Sequence, residues 1–202
     1  MQTLPLVAIL RGLQTHEAIP IGEALARNQW RLIEVPLNPP SPLKSIEAMA
    51  AALPQALVGA GTVLTTSDVR NVHAAGGQFI VSPNFNVDVV CEAVRLGMVC
   101  LPGVMTATEA FAALQAGATG LKLFPAEMIT PQVVKALLAV LPAKTRLFPV
   151  GGITLANMDP YLAAGVSGFG IGSSLFKPGM AVTKIEENAS KFIAAYARRI
   201  LT

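Results

Sequence analysis

Charged residues, aromatic residues and cysteines are all scarce in this sequence. Of its 202 residues only 13% are charged and 5% aromatic, and it has two cysteines and two histidines. The formal charge of +3 is spread along the chain, and basic residues do not alternate with aromatic ones, so we expect no nucleic-acid partner. Cys91 and Cys100 fit no metal-ligand spacing, so we expect two reduced, buried thiols and no metal site.

Long hydrophobic runs are also missing, although 52% of the residues are hydrophobic and the mean hydropathy is +0.55. No apolar stretch approaches the roughly 18–20 residues that a membrane-spanning helix needs. Residues 1–7 lack the basic start of a secretory signal. We therefore expect a cytoplasmic protein that does not contact a membrane. Its apolar content suits one large core, so we treat residues 1–202 as a single domain.

Short apolar runs alternate with helix-like stretches along the chain. The runs contain few polar residues, which is typical of strands covered on both faces. Ser41, before a proline, and Thr106, three residues before a glutamate, have the pattern of helix caps. Glycines follow several helix-like stretches and indicate their ends. The eight predicted strands cover residues 6–12, 32–38, 56–62, 79–84, 98–104, 120–126, 146–152 and 168–173.

Eight strand–helix units of about 25 residues each predict an α/β protein with a single (β/α)8 TIM barrel. The alternative is a doubly wound open sheet, which usually carries a Gly-x-Gly-x-x-Gly turn after its first strand. Here the first predicted strand ends in Leu-Arg-Gly at residues 10–12, without that turn. The barrel is therefore the favoured prediction.

Lys122 is the most unusual residue of the sixth predicted strand. In strand geometry Leu121 and Leu123 point to one face, whereas Lys122 and Phe124 point to the other. Burial disfavours an ammonium ion and lowers its pKa, which leaves a neutral amine able to attack a carbonyl. The alternatives are a lysine that extends from a strand end into solvent and one held in a structural ion pair.

Glu34 is the second polar residue within an apolar strand. Its neighbours Ile33 and Val35 point away from the face that Glu34 occupies. A buried carboxylate is costly unless it is paired or used. We interpret Glu34 as an acid/base group, because a raised carboxyl pKa beside a lowered amine pKa allows proton transfer in both directions. A salt bridge to Lys122 or Arg11 is the alternative.

Glycines end the last two predicted strands, at Gly151 and Gly152 and within residues 170–174, Gly-Ile-Gly-Ser-Ser. Glycine lets backbone N–H groups approach an anion, and the start of a following helix adds a positive dipole. Phosphate sites of TIM barrels commonly use the loops after strands seven and eight. We therefore predict a phosphate site here, although tight turns need glycines too.

Arg11, at the end of the first strand, is a candidate for holding a second anionic group, with a surface ion pair as the alternative.

Five motifs occur in a fixed order along the chain: residues 59–63 (Gly-Ala-Gly-Thr-Val), 82–84 (Ser-Pro-Asn), 101–103 (Leu-Pro-Gly), 121–127 (Leu-Lys-Leu-Phe-Pro-Ala-Glu) and 150–153 (Val-Gly-Gly-Ile). Together they resemble the 2-keto-3-deoxy-6-phosphogluconate/4-hydroxy-2-oxoglutarate (KDPG/KHG) aldolase family across essentially the whole chain. Residues 8–12, 34–38 and Val150 are most similar to the members that act on 2-dehydro-3-deoxy-6-phosphogalactonate. Glu127, after Phe-Pro-Ala, is more similar to the gluconate type.

The resemblance implies a class I aldolase that needs no cofactor and assembles as a homotrimer. It implies that Lys122 forms a Schiff base with the substrate ketone and that Glu34 moves the protons. The substrate-binding residues that it implies are Arg11 and Thr62 near the carboxylate end, Pro83 and Phe124 around the ketone, and Gly151, Gly152, Gly172 and Ser173 around the phosphate.

The implied reaction, in galactonate catabolism, cleaves 2-dehydro-3-deoxy-6-phosphogalactonate to pyruvate and glyceraldehyde 3-phosphate. Two alternatives keep the Schiff base but make the gluconate epimer or 4-hydroxy-2-oxoglutarate the main substrate. A third alternative is a regulatory barrel that binds phosphorylated metabolites without turnover. Lys122 counts against that alternative, because binding alone needs no reactive amine.

Overall fold

A computed structural model of the protein describes residues 4–38 and 40–200. Residues 1–3, part of the segment 1–7 on which the expectation of no secretory signal rests, lie outside this description. Among the described helices, none has both the length and the apolar character to cross a membrane.

The described strands are short and pair in parallel. The nine described strands lie within the eight predicted ones, and the fifth predicted strand contains two of them. Their bounds are β1 (Leu6–Ile9), β2 (Leu32–Pro36), β3 (Leu57–Gly61), β4 (Phe79–Val81), β5 (Val99–Leu101), β6 (Gly103–Val104), β7 (Leu121–Leu123), β8 (Leu147–Pro149) and β9 (Phe169–Ile171).

Helices follow the strands and pack against their outer side. Their bounds are α1 (Ala18–Arg27), α2 (Pro42–Ala52), α3 (Thr66–Ala74), α4 (Val87–Arg95), α5 (Ala107–Gln115), α6 (Pro131–Val140), α7 (Met158–Ala164) and α8 (Val182–Ile200), with short 3₁₀ helices at Thr15–Glu17 and Ala126–Met128. The predicted capping box of α5 is confirmed, since the Thr106 hydroxyl accepts a hydrogen bond from the Glu109 N–H. The predicted cap at Ser41 is wrong: the residue has φ of 55° and its side chain makes no capping hydrogen bond.

The strands form a six-stranded sheet of order β5-β4-β3-β2-β1-β9 and a three-stranded sheet of order β6-β7-β8. The first strand therefore lies beside the last, which rules out the doubly wound alternative. Pro102 separates β5 from β6 because it has no N–H to donate to a neighbouring strand. Its carbonyl still accepts a hydrogen bond of 2.9 Å from the Lys122 N–H, and a bridge between Val150 and Gly170 joins the ends of β8 and β9. The result is a curled parallel sheet.

Alternation along the strands divides the buried residues into two layers. The outer layer, between sheet and helices, includes Ile33 and Val35 of β2 and Leu121 and Leu123 of β7. A second apolar cluster lies on the inner face of the curled sheet and contains Val7, Ile9, Phe79, Val81, Leu101, Phe148 and Val150. Since neighbours along a strand point to opposite faces, Glu34 and Lys122 point to the inner side, as predicted.

The two thiols differ in exposure. Cys100 is buried in β5, as predicted, and burial raises the pKa of its thiol to about 12. Cys91 is exposed on α4, so the expectation of two buried thiols was wrong for this residue. Its neighbours Val89, Val90 and Ala93 form the buried side of that helix.

Candidate active site

The predicted site residues gather at one edge of the sheet, because the strands are parallel and their carboxyl ends lie together. Lys122 is in β7 and Glu34 in β2, while the others lie just beyond strand ends. Those positions are Arg11 after β1, Thr62 after β3, Pro83 after β4, Phe124 after β7, Gly151 and Gly152 after β8, and Gly172 and Ser173 after β9.

Glu34 and Lys122 share a small chamber inside the curled sheet. Their exposed fractions are 3% and 7%, and the chamber has a volume of about 10 Å³. Its other walls are apolar side chains, among them Val7, Val81 and Phe148. Within the described residues, no ion pair shorter than 4.0 Å joins Glu34 to Lys122. The two groups are therefore neighbours that are not locked in a structural salt bridge.

Burial displaces the pKa values of both groups towards neutrality. Burial raises the pKa of Glu34 to about 7, against the smaller opposing effects of the positive charges on Lys122 and Arg11. Burial also lowers the pKa of Lys122, while the charge of Glu34 opposes that shift and the charge of Arg11 adds to it. These are the directions predicted from the sequence, and they suit an amine nucleophile beside a group that both accepts and donates protons.

Phe124 and Arg11 border this pair. The Nζ atom of Lys122 lies 4.5 Å from the centroid of the half-buried Phe124 ring. Arg11 is exposed, in the turn that leaves β1, and its charge acts on both Glu34 and Lys122. A cation held there can attract an anionic substrate group towards the amine.

The loops after β3 and β4 are fastened to each other beside Glu34. Thr62 follows the last residue of β3 and has a φ of 59°, which is rare for a β-branched residue. The buried hydroxyl of Ser82 donates a hydrogen bond of 2.7 Å to the Val63 carbonyl. Sequence reasoning had not given Ser82 a role, although it belongs to the Ser-Pro-Asn motif.

Gly103 leaves space that lets Pro83 lie close to the strand pair that contains Lys122. Gly103 of β6 is paired with Lys122 of β7, and a Cβ atom at position 103 would overlap the Pro83 carbonyl oxygen. Only glycine at this position lets the loop after β4 lie so close to β6. The loop that carries Pro83 therefore lies against β6, the strand next to that of Lys122.

The two glycine-rich loops predicted to bind phosphate lie side by side. The Ser174 hydroxyl donates a hydrogen bond of 2.9 Å to the Ile153 carbonyl, which joins the loop after β9 to the loop after β8. Gly151 and Gly152 both have positive φ, of 107° and 60°. No helix begins directly after either loop: α7 begins at Met158 and α8 at Val182, and a single hydrogen-bonded turn follows Gly172. The contribution of a following helix is therefore limited to that turn, and the backbone N–H groups and the Ser173 hydroxyl are the candidate donors.

Glu127 lies against the glycine pair. A Cβ atom at position 152 would be 2.8 Å from Oε1 of Glu127, and one at position 151 would be 2.5 Å from its Oε2. This carboxylate makes the potential at the loop less positive, which weakens it as an anion site.

Two further features of the described residues bear on the assignment. No group of three or more His, Cys, Asp and Glu side chains within them is arranged to hold a metal ion. A much larger cavity of about 620 Å³ opens at the amino ends of the strands and includes Pro5, Leu57 and Val99. It contains neither Glu34 nor Lys122, so the chemistry favours the small chamber, which lies further along the strands and shares Val7, Leu101 and Phe148 with the large cavity as walls.

Comparisons with known proteins agree with this chemistry. The sequence model of the aldolase family named KDPG and KHG aldolase matches residues 1–191. A probable 2-dehydro-3-deoxy-6-phosphogalactonate aldolase from Rhizobium meliloti (strain 1021) is 46% identical over 95% of this chain and 91% of its own length. The Escherichia coli (strain K12) 2-dehydro-3-deoxy-6-phosphogalactonate aldolase is 43% identical over 98% of this chain and 97% of its own length.

The fold is also similar to that of a solved structure. A solved structure described as native KDPGal superposes with a TM-score of 0.97 at 42% identity, covering 100% of this chain and 98% of that one. With Lys122 and Glu34 buried together at the carboxyl ends of the strands, these findings show that the chain belongs to the KDPG and KHG aldolase family.

Proposed function

We propose that this aldolase is a class I enzyme that cleaves 2-dehydro-3-deoxy-6-phosphogalactonate to pyruvate and glyceraldehyde 3-phosphate. The observation that carries the chemistry is the burial of one amine and one carboxyl group in the same chamber with pKa values displaced towards each other. The relatives at 46% and 43% identity support the choice of the galactonate epimer.

In the proposed reaction the neutral amine of Lys122 attacks the C2 ketone of the substrate. A carbinolamine forms and loses water to give an imine, whose protonated form is an electron sink. Glu34 accepts the proton of the C4 hydroxyl, the C3–C4 bond breaks, and its electron pair moves into the resulting enamine. Glyceraldehyde 3-phosphate leaves as the aldehyde product.

The second half of the reaction releases pyruvate. The proton held by Glu34 returns to C3 of the enamine, which restores an imine, and water hydrolyses this imine to pyruvate and the free amine of Lys122. A carboxyl group with a pKa of about 7 suits both steps, since it takes up and returns a proton near neutral pH.

The other predicted residues would orient the substrate. We assign Arg11 and Thr62 to its carboxylate end, Pro83 and Phe124 to the walls around the ketone, and Gly151, Gly152, Gly172 and Ser173 to its phosphate. The hydrogen bond between Ser174 and Ile153 supports the last assignment, because it joins the two loops that carry these glycines. Anchors at both ends would hold C4 against the base.

We further propose that residues 1–202 form one closed (β/α)8 barrel. In this proposal β5 and β6 are one strand interrupted at Pro102, and the bridge between Val150 and Gly170 closes the ring. The family resemblance also leads us to propose a homotrimer, with exposed apolar residues such as Val94 and Val140 as candidate contacts. Light scattering should then give about three times the 21.1 kDa chain mass, and the monomer mass would contradict it. A cytoplasmic location stays a prediction from the sequence.

Trapping with pyruvate and borohydride tests the Schiff base directly. Pyruvate should form an imine that borohydride reduces, leaving one adduct that peptide mapping finds on Lys122. Lys122→Arg should give no adduct and no cleavage, because a guanidinium group does not form the imine. Lys135→Arg, which changes an exposed lysine of α6 in the same way, is the matched control and should keep both activities. An adduct on another lysine, or turnover by Lys122→Arg, would overturn the mechanism.

A direct comparison of substrates tests which epimer the enzyme prefers. The kcat/KM for the galactonate compound should exceed that for the gluconate epimer and that for 4-hydroxy-2-oxoglutarate, which has no phosphate. Equal or higher kcat/KM for the gluconate epimer would reject the galactonate assignment and leave the aldolase chemistry intact. Equal kcat/KM for 4-hydroxy-2-oxoglutarate would reject the phosphate site.

A further inference from the structure

The carboxylate of Glu34 occupies space that exists only because residue 61 is glycine. A Cβ atom at position 61 would lie 2.5 Å from Cδ and 2.9 Å from Cγ of Glu34, and would overlap Oε1. Carbon atoms in van der Waals contact are about 3.5–4.0 Å apart, so any other residue at this position would displace the carboxylate.

The register of the sheet shows that Glu34 reaches towards the mouth of the site. Glu34 of β2 is paired with Gly59 of β3, whereas Gly61 is paired with Pro36. The Glu34 side chain therefore extends about two residues along β3, towards the carboxyl ends of the strands. Gly59 offers no such space, because a Cβ atom there would overlap the Phe79 carbonyl oxygen.

The backbone around Gly61 is held in place. The Gly61 carbonyl accepts a hydrogen bond of 2.8 Å from the Leu37 N–H. Two residues further on, the Val63 carbonyl accepts the hydrogen bond from the buried Ser82 hydroxyl. The slot above Gly61 is thus fixed by neighbours on both sides, and Glu34 is the flexible partner of this contact.

We propose that Gly61 is a positioning residue: its missing side chain forms the slot that holds the Glu34 carboxylate beside Lys122 for proton transfer. The inference rests on the proposed role of Glu34 as the proton carrier. A methyl group at position 61 would push the carboxylate towards a chamber with only about 10 Å³ of free volume. The displaced atoms belong to the end of a side chain rather than to the backbone, so we expect the variant to fold with a misplaced base.

Gly61→Ala is the first experiment. Misplacement of a catalytic group by about 1 Å can cost on the order of 100-fold in rate, so kcat for cleavage should fall by about 10- to 100-fold. The KM and the rate of pyruvate trapping on Lys122 should stay within about threefold, because the amine itself is not moved. The matched control is Gly22→Ala in α1, where a Cβ atom meets only the ends of the Leu53 and Met49 side chains, at 2.7 Å. It should leave kcat unchanged.

A shorter side chain at position 34 distinguishes an effect on the position of the carboxylate from a general effect on the backbone. In a Glu34→Asp background the carboxylate is one methylene shorter, so Gly61→Ala should reduce kcat by less than about threefold there. An equal reduction in both backgrounds would overturn the proposal. If Gly61→Ala alone does not fold, the same pair is compared by thermal unfolding. Restored folding in the double variant supports the contact, and no restoration rejects it.

The same variants distinguish a failure of the proposed function from a failure of the positioning role of Gly61. If Glu34→Gln cleaves substrate as fast as the wild type, Glu34 is not the proton carrier, and the failure lies in the proposed function. If Glu34→Gln is slow while Gly61→Ala has wild-type kcat, the proton carrier is right and the positioning role of Gly61 is wrong.

Discussion

The Nζ atom of Lys122 lies 4.5 Å from the centroid of the Phe124 ring, two residues further along the chain. Residues two apart in extended backbone share a face, so the two side chains meet inside the curled sheet. The face of an aromatic ring attracts a cation and stabilises the ammonium form. Burial lowers the pKa of Lys122, and we expect the contact with the Phe124 ring to oppose that shift.

Phe124→Leu should lower the pKa of Lys122 further and make the amine reactive at lower pH. A cation–π contact contributes about 0.5–2 kcal/mol, and 1.36 kcal/mol corresponds to one pH unit, so the expected shift is about 0.4–1.5 pH units. The measurement is the rate of pyruvate trapping on Lys122 as a function of pH. Phe111→Leu, which changes an exposed phenylalanine of α5, is the control. A shift to higher pH would contradict the prediction.

Glu34 should also make the stability of the fold depend on pH. Its pKa is about 7 in the folded protein, whereas its ordinary value is 4.5. Below about pH 4.5 the group is protonated in both the folded and the unfolded chain, so its raised pKa costs no stability there. As the pH rises from about 4.5 to about 7, the unfolded chain releases this proton while the folded chain keeps it, and stability is lost; above about pH 7 the group is ionised in both states and the loss levels off.

Glu34→Gln should therefore gain stability over the wild type as the pH rises. The difference in free energy of unfolding should increase by on the order of 1–3 kcal/mol between about pH 4.5 and pH 8. Urea denaturation at several pH values measures it. Glu47→Gln, an exposed carboxylate of α2, serves as the control and should show no comparable trend. A difference for Glu34→Gln that stays constant with pH would show that burial does not raise this pKa.

The strand pattern and the inward direction of Glu34 and Lys122 could be predicted because both depend on local alternation. The apolar neighbours of each residue leave only one face for the polar side chain. Cys91 shows the limit of such reasoning: its helix is predictable, but the exposed side of that helix depends on what packs against it.

The remaining features of the site depend on contacts between distant residues. The overlap between position 61 and Glu34 follows from the register of β2 against β3, and the hydrogen bond from Ser174 to Ile153 joins residues 21 apart in sequence. Neither contact has a local sequence pattern from which it could be predicted. The turn after Gly172, in place of a helix, was equally hidden, since glycine and serine are common in both.

The capping box of α5 yields a prediction of stability. Thr106 accepts a hydrogen bond from the Glu109 N–H and donates one of 2.8 Å to the Glu109 carboxylate. Thr106→Ala removes both and should cost about 1 kcal/mol, which lowers Tm by about 2–4 °C in a protein of this size. Ser41→Ala is the matched control, because Ser41 precedes α2 without a capping hydrogen bond. Equal losses in both variants would argue against capping as the cause.

Ser174 should affect binding of the phosphate end of the substrate and little else. Its hydroxyl joins the loops after β8 and β9, so Ser174→Ala lets the two glycine loops move apart. One hydrogen bond contributes about 0.5–1.5 kcal/mol, and 1.4 kcal/mol is tenfold in affinity, so KM for the phosphorylated substrate should rise about 2- to 10-fold. Steady-state kinetics measures this, and kcat should change little because the proposed reacting groups, Lys122 and Glu34, lie outside the two glycine loops.

Pyruvate provides the internal control for this prediction, because it has no phosphate and reaches Lys122 without the glycine loops. Half-saturation of pyruvate trapping should be the same in Ser174→Ala and the wild type. Ser45→Ala, which removes a buried serine of α2 whose hydroxyl donates to the Thr15 hydroxyl at 3.4 Å, tests for a general effect of losing such a group. If pyruvate trapping weakens as much as KM rises, Ser174 supports the whole chamber and the two loops do not form a separate phosphate site.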